Sequence, residues 1–219
     1  MPSTKITSSS VAEIEAKLKT HFGDMVKIEF LENCLKQLLP NDAKRFCHLK
    51  LAELYAAKLM YSQAGRNMDL AAECATSYRD KIDFHLKEIN HYIKSGDYFM
   101  IDKPFKKARA YANDKEKEMI DSHLKLALMS HAEEFEGKNR RMNAAQVYER
   151  LMNMPIITET EKRMIIEKLG KLYSSAGKIK EAVLYEQMAK KPIEPKRRLD
   201  DDGREVRKVS FKDLGIERD

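Results

Sequence analysis

Two pairs of residues in this chain have the types and spacing that chemistry requires. Glu88-Ile-Asn-His91 sets a carboxylate and an imidazole three residues apart, the E-x-x-H spacing by which helix bundles hold paired iron ions. Such a centre also takes a second E-x-x-H and two further carboxylates. No second copy exists: three residues before His21, His48, His85, His123 and His131 stand Leu18, Arg45, Ile82, Ile120 and Leu128. Glu88 and His91 are therefore expected on an exposed helix face. Cys47-His48 sets a thiol beside a base, but neighbours on a helix point about 100° apart and do not converge. H-E-x-x-H, G-x-S-x-G and G-x-x-x-x-G-K-S/T are absent from the sequence. Cys34, Cys47 and Cys74 show no CxxC spacing, which predicts buried free thiols rather than a zinc site or a disulfide framework. The expectation is a non-enzyme with no cofactor and no metal.

The elements that position these residues follow from composition and periodicity. Over 219 residues, 42% are hydrophobic and 35% charged, too apolar for a disordered chain and rich in charge for a compact globule. An elongated helical array, with much wet surface, fits both figures. Gly and Pro number only 8 and 6, which favours long helices with short joints. Lys and Arg exceed Asp and Glu by 41 to 35, a net charge of +6 of mixed sign along the chain. A dedicated nucleic-acid binder more often shows one concentrated basic face. MPSTKITSSS lacks the apolar core of a signal peptide, and no run approaches the ~20 apolar residues of a membrane span. A cytoplasmic protein is expected, or a nucleocytoplasmic one if the cell has a nucleus.

Residues 1–9 are polar and read as a loose tail. Ser10 with Glu13 forms a capping box that opens a first helix. His21-Phe22-Gly23 turns into a second helix reaching about Leu39, and Pro40-Asn41-Asp42 stops it and caps the next. From residue 42 to about 190, apolar residues recur at three- and four-residue steps, the signature of amphipathic helices. Joints are expected at Ser62–Gly65, Ser77–Asp80, Ser95–Asp97, Asn113–Lys115, Gly137–Arg141, Pro155–Thr160 and Ala176–Lys178. Thr158 with Glu161 makes a second capping box.

Within that region the sequence repeats. Ala52, Ile89, Ala132 and Gly170 serve as anchors, at spacings of 37, 43 and 38 residues. Three residues after each stands an aromatic: Tyr55, Tyr92, Phe135 and Tyr173. Ala64, Ile101, Ala144 and Ala182 follow at twelve residues, and Ala71, Ala108, Leu151 and Ala189 seven beyond those. Small residues on paired helices permit close approach, and the aromatic fills the space between neighbouring units. Gly96 and Gly177, each seven after an anchor, suit a left-handed helix end.

This pattern resembles the tetratricopeptide repeat family, above all in Leu169-Gly170-Lys-Leu-Tyr173-Ser-Ser-Ala-Gly177-Lys-Ile179-Lys-Glu-Ala182 and in Leu51-Ala52-Glu-Leu-Tyr55. The units are longer than the family's, and in that respect resemble those of the soluble NSF attachment proteins of vesicle fusion. The resemblance implies an all-α, right-handed α-solenoid of antiparallel helix pairs over residues 10–190. It would hold about four repeats, with Ser10–Leu39 as an N-terminal capping hairpin and 191–219 as a charged tail. Ile89 and Ile101 stand where the family has small residues, so the second unit is expected to pack more loosely.

The resemblance further implies a concave groove lined by the first helix of each pair. It maps that surface onto Glu53, Asn90, Glu133 and Lys171, with Lys94 and Glu167 one turn away. The implied function is an adaptor or scaffold that binds a peptide or helix of another protein there. The alternative reading rests on basic clusters. Lys103, Lys106, Lys107 and Arg109 are expected on a convex face, and Lys190, Lys191, Lys196, Arg197 and Arg198 follow the last helix. Such runs suit nucleic acid or an anionic membrane surface, as in an attachment-protein-like vesicle-trafficking factor. Asp200-Asp201-Asp202 weakens the second field. Phe211, Leu214 and Ile216 in the tail suit a short docking motif.

Overall fold

The structure, a computed structural model, describes residues 10–190. They form ten α-helices and one turn of 3₁₀ helix, with no strand among the described residues. The described residues are all-helical, as expected. The segments 1–9 and 191–219, and with them Lys191, Lys196, Arg197, Arg198, Phe211, Leu214 and Ile216, lie outside the described residues. Helices α1 (Val11–Thr20) and α2 (Asp24–Leu35) come first. Four pairs follow: α3 (Asn41–Ala57) with α4 (Tyr61–Glu73), α5 (Tyr78–Ser95) with α6 (Asp102–Tyr111), α7 (Asp114–Gly137) with α8 (Arg141–Met152), and α9 (Glu159–Ser175) with α10 (Ile179–Lys190). The 3₁₀ turn Tyr98–Ile101 leads directly into α6. From α2 onward each helix packs on its successor, and α5 also packs on α7. No described helix is long and apolar enough to cross a membrane.

Helix starts follow local chemistry. Ser10, Ser77, Asn113 and Thr158 each accept a hydrogen bond from the backbone N–H three residues on. Asn113 and Thr158 complete reciprocal boxes with Glu116 and Glu161. Lys125 of α7 also grips Glu161 at 2.8 Å. That bond first, then those from Thr158, holds the Glu161 carboxyl down to about 2.

The first helix of every pair ends in the same way. Leu59, Gly96, Asn139 and Gly177 have positive φ of 61°, 81°, 57° and 75°. The N–H of the following residue reaches back to the carbonyl of Tyr55, Tyr92, Phe135 or Tyr173, at 2.9, 3.1, 2.8 and 2.9 Å. This is the Schellman closure, and all four left-handed residues stand seven after an anchor. Only Gly96 and Gly177 were legible as such ends. The joint expected at Ser62–Gly65 lies instead at Lys58–Met60, and Ser62 and Gly65 sit inside α4. Gly65 is there for packing: a Cβ would come within 3.0 Å of the Tyr92 ring. The second helix also stops at Leu35 rather than Leu39, and Pro40, not Asn41 or Asp42, takes the cap position of α3.

Leu59 is the costly member of the set. A left-handed backbone costs an L-residue about 1–2 kcal/mol, and this side chain is 72% exposed. Leu59→Gly is expected to raise the unfolding free energy by roughly 0.5 kcal/mol, the relief of strain less about 0.5–1 kcal/mol of added unfolded-state entropy. A urea titration checks this; a lower midpoint would mean that the position carries no net strain.

Three of the four repeated aromatics reach back to the preceding unit. Tyr55 donates to Glu32 of α2 (2.6 Å), Tyr92 lies against Gly65 of α4, and Tyr173 donates to Glu149 of α8 (2.7 Å). One large apolar core runs from Ile89 to Tyr185, and a second joins α1, α2 and α3 around Leu31, Cys34 and Cys47. Ile89 and Ile101 are fully buried in the large core. The expected looseness of that unit is therefore not found. The 3₁₀ turn sets α6 at a position where two isoleucines, rather than two alanines, fill the space.

Candidate functional site

Helices α5 and α7 leave a groove between their N-terminal halves. Its volume is about 1120 Å³, and it is lined by Ile82, Leu86, Met119, Ile120, His123 and Leu126 with a charged rim that includes Arg79, Asp83, Lys115 and Glu118. Met119 and Leu126 are 71% and 65% exposed. They lie seven residues apart on α7 and so share one face, outside the buried stripe of Ile120, Leu124, Leu128 and Ala132. Both side chains stand open to solvent beside the groove.

The expected groove residues are placed unevenly around it. Asn90 is the nearest. Its side-chain oxygen lies 3.2 Å from His123 Nε2 and so ties α5 to α7 at the inner end of the groove. Lys94 is exposed and sits 5.7 Å from the centre of the Tyr61 ring. Glu133 lies 3.9 Å from Lys168, whose amine donates to the Tyr148 hydroxyl at 2.8 Å. Glu167 and Lys171 are brought together, with Lys190, around a separate cavity of about 630 Å³ between α9 and α10. Glu53 pairs within its own helix with Lys50 at 2.8 Å and joins none of these. Sequence reasoning missed Leu86, Met119 and Leu126. Their helical spacing gave no signal to tell them from core residues.

The Cys47–His48 pair falls as expected, and the Glu88–His91 pair does not. Cys47 is fully buried, and burial pushes its thiol up to about 12. His48 does not meet it; its Nδ1 lies 3.0 Å from Asn67 Oδ1. Glu88 is not on an exposed face: it is 2% exposed, and so is His85, whose Nδ1 lies 2.9 Å from Glu88 Oε2. The partner is thus one turn before Glu88 rather than one turn after. His91 instead stacks on the Tyr61 ring. Asp69 of α4 joins the pair, and the ligand atoms of Asp69, His85 and Glu88 lie within 4.8 Å of one another.

That spacing suits a divalent cation, but the charges are already matched. Lys103 and Lys107 of α6 hold the two Asp69 oxygens at 2.9 and 2.5 Å. Two ammonium groups already hold the Asp69 carboxylate, so a cation would add uncompensated positive charge. The arrangement is an ion network joining α4, α5 and α6. It takes up two members of the expected convex cluster, and Arg109 pairs with Asp121.

Burial raises the Glu88 carboxyl above its ordinary range, against the smaller opposite pull of His85. The native state then keeps a proton that the unfolded chain has lost. This contribution is full below the unfolded value and falls away as pH rises through the native one. Glu88→Gln, which keeps an acceptor for His85, is expected to flatten the stability profile on the alkaline side of about pH 4.3. Glu88→Ala strands His85 and is expected to cost about 1–3 kcal/mol. Thermal melts across pH check both, and an unchanged slope in Glu88→Gln would remove Glu88 as its source.

No family model matches the sequence, and no curated protein matches it either.

Proposed function

We propose that the chain is an adaptor: a right-handed α-solenoid of about four tetratricopeptide-like helix pairs with an N-terminal capping hairpin, holding a helix or peptide of another protein in a concave groove. The groove between α5 and α7 carries this reading, because it offers an apolar floor of Leu86, Met119 and Leu126 inside a rim of mixed charge. A floor of that kind takes the apolar stripe of an amphipathic helix, and the rim fixes its direction. The four equivalent helix ends and the backward-reaching aromatics support the repeat reading.

The basic clusters support direct nucleic-acid binding less well. Lys103, Lys107 and Arg109 are spent on Asp69 and Asp121. The deciding experiment captures partners on the full-length protein and on Met119→Glu/Leu126→Glu. A protein partner lost by the variant supports the groove. Retention of every partner would move recognition off this groove, and recovery of RNA alone with steep salt dependence would replace the adaptor with the electrostatic reading.

A further inference from the structure

The turns into α4, α6, α8 and α10 adjoin one another along one edge of the molecule. Ser62, at the start of α4, donates to Asp97 in the turn before α6 at 2.5 Å. The Tyr98 ring of that turn meets His131, near the end of α7, at 6.3 Å between centroids. Arg141, at the start of α8, donates to the Ser175 carbonyl at the end of α9 at 2.5 Å. Short joints and antiparallel neighbours require this arrangement: every turn of one sense falls on the same side.

Along that edge large apolar side chains stand in water. Leu59 is 72% exposed, Phe99 87% and Ile179 72%, with Met60, Met100 and Met142 beside them. Each of the four turns contributes at least one. Leu59 adds an independent observation. It occupies the left-handed position that Gly96, Asn139 and Gly177 fill in the other turns. A branched side chain held there against backbone strain, and in solvent, is repaid by nothing inside the fold. Basic residues flank the tips: Lys58, Arg140, Lys178 and Lys180. Among the described residues none of these four is ion-paired. Of the acidic side chains near the edge, Asp97 accepts from Ser62 and Ser95, Glu134 pairs with Lys138, and Glu181 opens α10 beside Ile179; the four basic residues outnumber the acids left without a cation.

We propose that this edge docks on an anionic lipid surface, its apolar tips entering the headgroup boundary while the lysines and arginine meet lipid phosphates. The tips protrude, whereas a protein partner would need a matching row of pits. A fluid interface accepts separate apolar protrusions without shape complementarity. Positive charge beside them adds attraction to an anionic leaflet and only there. Nucleic acid fits less well, since Leu, Met and Ile offer bases no stacking surface and Phe99 stands alone. The surface shares no residue with the α5–α7 groove, so the two sites stand or fall separately.

The test is flotation of the full chain with vesicles of phosphatidylcholine alone or in equimolar mixture with phosphatidylserine. The wild type is expected to float with the mixed vesicles and not with phosphatidylcholine. Leu59→Gly/Phe99→Ser is expected to lose about tenfold in partitioning, and Lys58→Glu/Lys178→Glu at least as much. Melting curves show whether these variants fold. Met119→Glu/Leu126→Glu should float like the wild type. The chain has no Trp, so Phe99→Trp reports on its own site, and its emission should shift to the blue on mixed vesicles and be quenched by brominated acyl chains. Failure of the wild type to float would overturn the proposal. So would flotation indifferent to Leu59→Gly/Phe99→Ser, or a Phe99→Trp emission that does not move. Loss of a protein or RNA ligand, rather than of vesicles, on the edge variants would assign the edge to that ligand instead.

Discussion

Ile89→Ala is expected to lower the unfolding free energy by about 2–5 kcal/mol, the range for truncating a fully buried isoleucine. The repeat pattern alone predicts the opposite, because it places a small residue at this position and Ile89 then looks like an intrusion. The structure reverses the sign. Ile89 and Ile101 are both fully buried and belong to one core with Tyr92, Phe105, Ala108 and Leu124. The extra turn Tyr98–Ile101 fixes where α6 starts, so alanine at 89 would leave a cavity that α6 cannot move in to fill. A urea titration followed by circular dichroism measures the effect. A loss below about 1 kcal/mol would mean that α5 and α6 close up, and that the family's small-residue geometry is within reach of this pair.

Met119→Glu/Leu126→Glu is expected to weaken binding of a groove partner at least about a hundredfold. Large apolar side chains at the centre of an interface contribute about 2 kcal/mol each, and a carboxylate pressed against an apolar surface adds a desolvation cost. The same change should move the melting temperature little, since both side chains are more than half exposed and surface substitutions stay within about 0.5 kcal/mol. This contrast gives the measurement its force. Intact folding with lost binding locates the site, whereas intact folding with intact binding moves recognition to the α9–α10 cavity, to the turn edge or outside residues 10–190. The cavity has its own probe in Lys171, which lines it together with Glu167.

Much of the architecture was legible because its determinants are local. Ser77, Asn113 and Thr158 cap helices through bonds that reach only three residues along the chain. Gly96 and Gly177 end helices because a left-handed backbone favours glycine wherever it occurs. Asn139 carries a weaker signal of the same kind, since asparagine tolerates the left-handed region, whereas Leu59 does the same work with none, because the closing bond to the Tyr55 carbonyl is one any residue can make. Gly65 misled for a related reason. Glycine reads as a joint, but here it answers to the ring of Tyr92, twenty-seven positions away.

The site was less legible. Glu88 and His91 suggested one pairing along a helix, and the structure chose Glu88 with His85, because the neighbouring α4 and α6 bring Asp69, Lys103 and Lys107 to that face and not to the other. The groove residues Met119 and Leu126 could not be told from core in the sequence, as both kinds recur at helical spacing. By itself the sequence determined helices, their caps and the period at which they recur, all consequences of contacts within a few residues. Only the tertiary structure decided which apolar stripe is covered, which charges meet, and which turns share an edge. Those outcomes depend on where a second helix lies, and no single segment contains that information.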